Sequence, residues 1–254
     1  MPNQSPHFQR VAEQYNKLTG RGPYATLAPH NRGGRKSEYV NAVFDAAILP
    51  RLHEGDCRSV LDFGSGTGVF SRTLAGLGFR VSGVDVSEQM VHTAGRLCDG
   101  VPNVHFQRTD GVYLPFQEAE FDCVIARESL CYVPDDLLEP VLREMYRVLK
   151  PQGRLLWLEQ VSDAPRWQRH PNAPNLVKRA PEDLRVRLSA AGFVLLDEAM
   201  VRTPRFPWIY PVWFGLLPRR LIPALARWEV AWHRRFGGSR RRWWNALLIA
   251  ECHA

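Results

Sequence analysis

The residues of this chain best placed to do chemistry are aspartates that end apolar runs, with a glycine-rich turn beside the first. Val60-Leu61-Asp62-Phe63-Gly64-Ser65-Gly66-Thr67-Gly68 reads as a buried parallel strand running into a turn, and Asp85 ends the next apolar run. Gly64 and Gly66 can take backbone angles closed to other residues and let a ligand lie against the main chain, with a helix starting near Thr67. Asp85 follows Asp62 by 23 residues. At the tip of the neighbouring strand, a carboxylate can accept both hydroxyl hydrogens of a ribose. A nucleoside-bearing cofactor is implied. A third acid, Asp110, ends the run Val104 to Asp110, and the turn spacing GxGxG differs from the GxGxxG of dinucleotide-binding turns.

These residues need a scaffold of alternating strands and helices. Strands are predicted at Val60 to Phe63, Val81 to Val86, Val104 to Arg108, Cys123 to Ala126, Leu155 to Glu159, Val194 to Val201 and Leu247 to Cys252, with helical patterns between most of them. The clearest helix is Asp135 to Leu149: two aspartates favour its positive N-terminus, and Leu138, Val141, Leu142, Met145 and Val148 recur at helical spacing. An arm from about Pro6 to Cys57 reads as two helical pieces parted by the turn-rich Gly20-Arg21-Gly22-Pro23 and Asn31-Arg32-Gly33-Gly34. The 254 residues, 45% of them hydrophobic, suit one α/β domain with appendages. It divides into the arm (1–57), a cofactor-binding core (58–203), a lid-like basic aromatic insert (204–245) and a last strand (246–254).

The acidic and glycine landmarks together resemble the class I S-adenosylmethionine-dependent methyltransferases of small-molecule type. Phe121-Asp122-Cys123-Val124-Ile125-Ala126 is similar to that family's fourth strand, and Arg147-Val148-Leu149-Lys150-Pro151-Gln152-Gly153-Arg154-Leu155-Leu156 to its helix-to-fifth-strand junction. The resemblance covers roughly residues 58–202. It implies a Rossmann-like doubly wound seven-stranded sheet with the last strand antiparallel, a helical N-terminal arm and a helical insert between strands 6 and 7. It also implies S-adenosyl-L-methionine as cofactor, with the methionine half against Asp62, Gly64, Ser65 and Gly66, and the ribose on Asp85. Asp110 would meet the adenine amino group, and Val86, Met90, Gly111 and Arg127 would complete the cofactor site. Phe8, Ala12, Tyr15 and Asn16 resemble an FxxxAxxY(D/N) opening in which the aromatic Tyr15 helps close the pocket; the same spacing also describes one face of an amphipathic helix. Tyr146 and Lys150 form a YxxxK pair that would suit a nicotinamide enzyme, but Lys150 reads better as a cation at a helix C-terminus.

Methyl transfer by in-line displacement needs positioning first and a base only for hydroxyl or ammonium acceptors. Candidates are Glu128, Ser129 and Tyr132 beyond the fourth strand, Glu159 and Gln160 at the end of the fifth, and His170 in the following loop. Glu128 or Glu159 could instead pair with an arginine such as Arg127. The basic cluster Arg32, Arg35 and Lys36 reads as a solvated loop.

Charge is local. The chain is +7 overall, yet residues 201–254 carry ten arginines, no lysine and only Glu229 and Glu251, together with six of the eight tryptophans. A connection between strands 6 and 7 leaves from the carboxyl edge of the sheet, where ligands bind, so the insert is expected to overhang the site. Leu221, Leu225, Trp228 and Trp232 share one helical face and Arg220, Arg227 and Arg234 another, as in an amphipathic lid. The expected acceptor is small or amphipathic, of anionic or aromatic character. An RNA methyltransferase stacking bases on the tail is a second reading, disfavoured by Ala126-Arg127-Glu128-Ser129 where an NPPY-type tetrapeptide would stand. A peripheral membrane contact through the insert, or a non-catalytic binding module, is a third. No metal is expected, the five scattered cysteines read as reduced, and with neither an export pattern nor a spanning stretch the expected location is the cytoplasm.

Overall fold

The computed structural model describes residues 5–19, 34–54, 56–164, 169–170, 173–204, 206–238 and 242–253. The turn-rich segments expected within the arm, apart from Gly34, and Arg240 and Arg241 lie outside the described residues.

Helix α1 (Pro6–Asn16) starts where the Ser5 hydroxyl caps the Phe8 N–H at 3.4 Å, and α2 (Arg35–Leu52) completes the two-part arm. The core then alternates: β1 (Ser59–Phe63), α3 (Val69–Gly76), β2 (Arg80–Asp85), α4 (Glu88–Leu97), β3 (Val104–Arg108), β4 (Phe121–Arg127), α5 (Asp135–Val148) and β5 (Leu149–Val161). A small hairpin of β6 (Arg169–His170) and β7 (Ala173–Val177) precedes α6 (Pro181–Ala190) and β8 (Phe193–Arg202). Helices α7 (Ile209–Trp213) and α8 (Ile222–Phe236) form the insert, and β9 (Trp244–Cys252) ends the chain.

The seven-stranded sheet has the order β3-β2-β1-β4-β5-β9-β8. Strands β1 to β5 pair in parallel, while β9 runs antiparallel to both β5 and β8. This is the expected doubly wound sheet with its last strand reversed. All five β1 residues are buried, as a strand covered on both faces requires. One face packs on α5 and α6 through Leu138, Val141, Leu142, Leu184 and Leu188. The other packs on α2, α3, α7 and α8 through Tyr39, Phe44, Leu74, Val212 and Ala226.

Several boundaries move. The last strand begins at Trp244, not Leu247, because Trp244 is buried and pairs with Val161; two residues assigned to the insert are therefore strand. The fifth strand runs from Leu149 to Val161, and the short β6–β7 hairpin carried no alternation long enough to read. Lys150 does not serve a helix end: its Nζ pairs with Asp122 Oδ1 at 2.6 Å, and the Tyr146 hydroxyl donates to the His253 carbonyl. The YxxxK pair thus ties β5 to β4 and α5 to the segment after β9, and lends nothing to a nicotinamide reading. The five cysteines are free, and all but Cys57 are buried. Among the described residues no helix is long and apolar enough to cross a membrane.

Candidate active site

The tips of β1, β2, β4, β5 and β8 open into one cavity of about 890 Å³, walled also by α1 and α2. At its centre lies the turn after β1. Gly64 and Ser65 both donate their N–H to the Val84 carbonyl, at 2.8 and 2.9 Å, which folds the turn over the tip of β2. Gly64 sits at φ +75°, and a Cβ there would lie 2.4 Å from Ser129 Cβ. Glycine is required at that position because the segment after β4 crosses directly above it.

Asp85 braces the same turn. Its Oδ2 accepts from Gly66 N–H and its Oδ1 from Ser87 N–H, each at 2.9 Å. Burial pushes its carboxyl up to about 6, the two backbone donors partly offsetting that. A carboxylate has about four acceptor positions, and with the Val86 N–H also directed at this carboxyl, capacity remains for a ribose hydroxyl. Asp62 is buried, accepts from Ser71 Oγ at 2.5 Å, and is likewise raised by desolvation. The Ser65 and Ser129 hydroxyls are buried in the cavity wall without partners in the protein. Orphaned polar groups of this kind fit a polar ligand lying on the turn.

Helix α1 closes one side. Phe8, Tyr15 and Leu18 line the cavity, Tyr15 meets Tyr132 edge-on at 5.4 Å, and the Ser87 hydroxyl donates to Asn16 Oδ1 at 2.5 Å. Burial raises both Tyr15 and Tyr132, so each phenol holds its proton more tightly than in water, and Tyr132 lines the cavity beside Tyr15.

Val86 and Arg127 also line the cavity, but three other expected cofactor residues do not. Asp110 folds back to accept from Val112 and Tyr113 N–H at 2.8 Å each, an Asx-type turn that occupies Oδ1. Gly111 instead makes room for Phe8, whose ring would lie 2.7 Å from a Cβ there. Met90 is buried in the first turn of α4, its N–H capped by Ser87 Oγ at 3.0 Å.

The candidate bases separate cleanly. Glu128 lines the cavity at φ +56°, a left-handed conformation unusual outside glycine; it accepts from Gln160 Nε2 at 2.6 Å and from Asn245 Nδ2. Burial raises its carboxyl. Glu159 does not reach the cavity. Strand alternation turns it to the other face of β5, beside Trp157 Nε1 at 3.3 Å and Cys131, where burial and the nearby Glu128 charge raise it to about 7. His170 lies on β6 with its backbone paired to Ala173; its side chain falls outside the described part of the structure. Neither Glu128 nor Glu159 pairs with Arg127, which bonds Asp45 Oδ1 at 2.7 Å and Asn41 Oδ1 at 2.8 Å and lies over the Phe70 ring.

Beyond Glu128 the wall turns cationic and aromatic. Lys36 is not on a solvated loop: it lines the cavity with its Nζ 5.0 Å from the Trp213 ring, and burial and the charge of Arg202 lower its affinity for a proton. Arg202 is 5% exposed; its Nε has no hydrogen-bond partner, and the nearest carboxylate oxygen, Glu229 Oε1, is 4.0 Å away. Trp213, Trp243 and Pro204 complete this end. Arg202 was missed because the predicted strand stops at Val201; the observed strand runs one residue further and ends on it. Asn41 and Phe44 on α2 carry no local signal. No α8 side chain lines the cavity, so the lid helix is corrected to a flanking one: it packs inward through Ile222, Ala226, Glu229, Val230 and His233, and the Leu221–Trp228–Trp232 face looks outward.

Residues 60–153 match a family model described as a methyltransferase domain. The O-methyltransferase cnsE of Penicillium expansum is 34% identical over 180 residues, 65% of this chain but 63%, under two thirds, of that enzyme's length. Methyltransferase GfsG of Streptomyces halstedii is 30% identical over 208 residues, covering 73% of this chain and 71% of that protein. The crystal structure of the [4+2]-cyclase SpnF shares the fold, with a TM-score of 0.67, 23% identity and 98% of each chain covered.

Proposed function

Because this chain belongs to the class I S-adenosylmethionine-dependent methyltransferases, we propose that it methylates O, N or C of a small or amphipathic acceptor of anionic or aromatic character. The observation that carries this reading is one cavity walled at one end by the glycine turn and Asp85 and at the other by Lys36, Arg202, Trp213 and Trp243. Its volume, about 890 Å³, is near the top of the roughly 300–1,000 Å³ range of small-molecule sites, as two ligands side by side require. The same fold carries the [4+2]-cyclase SpnF, so function rests on the site rather than on the fold.

The cofactor supplies an electrophilic methyl group; the remaining tasks belong to the chain's own residues. Asp85 and the turn residues Gly64 to Gly66 hold the nucleoside and methionine parts, and α1 excludes water over them. Arg202 and Lys36 orient an anionic group of the acceptor, with Trp213 and Trp243 as apolar walls. Glu128 stands between the two ends and takes the acceptor's proton when the acceptor is a hydroxyl. Because burial raises its carboxyl, it is ready as a base above that raised value, and transfer to a hydroxyl falls as pH drops through it.

The test is to incubate the protein with methyl-labelled cofactor and a panel of phenolic, carboxylated and neutral acceptors, following label on the acceptor. Label should pass to anionic or aromatic members. Glu128→Gln, which keeps the shape of its contacts, should lower turnover on a hydroxyl acceptor by roughly 10²- to 10⁴-fold at unchanged cofactor-product affinity. Full turnover in that variant removes Glu128 as the base, and label appearing only on RNA overturns the acceptor class.

A further inference from the structure

The outer face of α8 and the loop before it expose an apolar ladder that the cavity does not use. Of the twelve large apolar side chains exposed among the described residues, seven fall between 210 and 236, including Phe214, Leu216, Leu221, Trp228, Trp232 and Phe236. Trp228, Trp232 and Phe236 stack along the helix with ring centroids 5.4 and 4.6 Å apart. The opposite stripe of α8 is already buried against α2 and β8, and on this face Trp228 leans on Phe206 and Trp208, at 5.7 and 6.0 Å between ring centroids, while Trp232 and Phe236 continue the ladder outward. Exposed arginines flank it: Arg220, Arg227, Arg234 and Arg235, with Arg219 in the preceding turn. Between residues 203 and 238 the sole acid is Glu229, which is buried on the inner face and accepts a hydrogen bond from the Tyr39 hydroxyl at 2.5 Å.

We propose that this face seats on a lipid bilayer surface bearing anionic headgroups. Aromatic side chains beside arginines are what an interfacial helix uses: the rings enter the boundary of the acyl region and the cations meet headgroup phosphates. A second copy of the chain is a poorer occupant. An isologous contact would set the same arginines against one another, and the acids beside the patch, Glu38 and Asp197, already pair within the chain with Arg219 at 3.2 Å and Arg234 at 3.7 Å. Single-stranded nucleic acid is also poorer, because the rings lean on their neighbours, and Phe214, Leu216 and Leu221 would stay wet. The patch also joins the cavity: exposed Phe214 stacks on Trp213 at 5.5 Å and 19°, and Trp213 lines the acceptor end. An amphipathic acceptor could therefore enter from the bilayer, although docking itself does not depend on the proposed reaction.

Vesicle sedimentation of the full chain tests this, comparing phosphatidylcholine alone with phosphatidylcholine containing about one third phosphatidylglycerol. Binding should favour the anionic vesicles by about ten-fold or more and weaken with salt. Tryptophan emission should be quenched by brominated acyl chains. Trp228→Ser/Trp232→Ser/Phe236→Ser should lose that binding and quenching, and Arg220→Gln/Arg227→Gln/Arg235→Gln the anionic preference. Unchanged S-adenosylhomocysteine affinity in both triple variants shows that they fold. Absence of vesicle binding overturns the proposal. So does a dimer in sedimentation velocity that the aromatic variant dissolves, or single-stranded RNA that outcompetes anionic vesicles for the face.

Discussion

Gly64 shows how little freedom the turn has. Its φ of +75° and the 2.4 Å approach of Ser129 Cβ to a virtual side chain act together, so Gly64→Ala should cost about 2–4 kcal/mol in urea unfolding, and a loss under about 0.5 kcal/mol would contradict the packing described. Glu159 makes a pH-dependent prediction. Its carboxyl is raised to about 7 in the fold against about 4.3 in an unfolded chain, so its contribution is fully present below the unfolded value and is lost as pH rises through 7. Glu159→Gln should match the parent near pH 4 and exceed it at pH 8, by on the order of 1–3 kcal/mol in denaturation. Equal stabilities at both pH values would mean that the carboxylate is better solvated than its surroundings imply. Asp62 and Asp85 were legible because a strand tip leaves a side chain one place to go. Asp110 and Met90 were not: whether an acid at a strand end faces a ligand or caps its own turn depends on the next three residues' backbone, and apolar periodicity is silent on that. Glu159 is a matter of parity, one residue from Gln160, which does line the cavity.

Helix α8 carries two apolar stripes, and periodicity alone cannot say which is inward. The reading from sequence chose the larger residues, Leu221, Leu225, Trp228 and Trp232. The fold buries Ile222, Ala226 and Val230 instead, because small side chains let α8 approach α2 closely, and it hides Glu229 and His233 with them. Ile222→Ala should therefore cost about 2–5 kcal/mol, whereas Trp228→Ala should change stability by less than about 1 kcal/mol. Thermal unfolding of the two variants checks the assignment, and the reverse order would restore the inward tryptophan face. Strands β1 to β4 were read nearly to the residue, since each is short, apolar and closed by a turn. The β6–β7 hairpin and the start of β9 are defined by pairing partners distant in sequence, which no local window contains.

At the scale of the whole molecule the insert is part of the fold rather than a detachable cover. Ile209, Val212, Ile222, Ala226 and Val230 belong to the same packed cluster as α2 and the sheet. Replacing residues 204–243 with a Gly/Ser hairpin should leave no cooperative unfolding transition. A cooperative variant that still binds cofactor would return the insert to an appendage. The account as a whole rests on a cofactor held by the turn after β1 and Asp85. Titration calorimetry of the purified chain against S-adenosylhomocysteine and NAD, with the parent and Asp85→Ala side by side, addresses that directly. The parent should bind S-adenosylhomocysteine and not NAD, and Asp85→Ala should weaken that binding by roughly 100-fold or more, as loss of charged hydrogen bonds to a ribose requires. Binding of NAD without S-adenosylhomocysteine, or full affinity in Asp85→Ala, would contradict it.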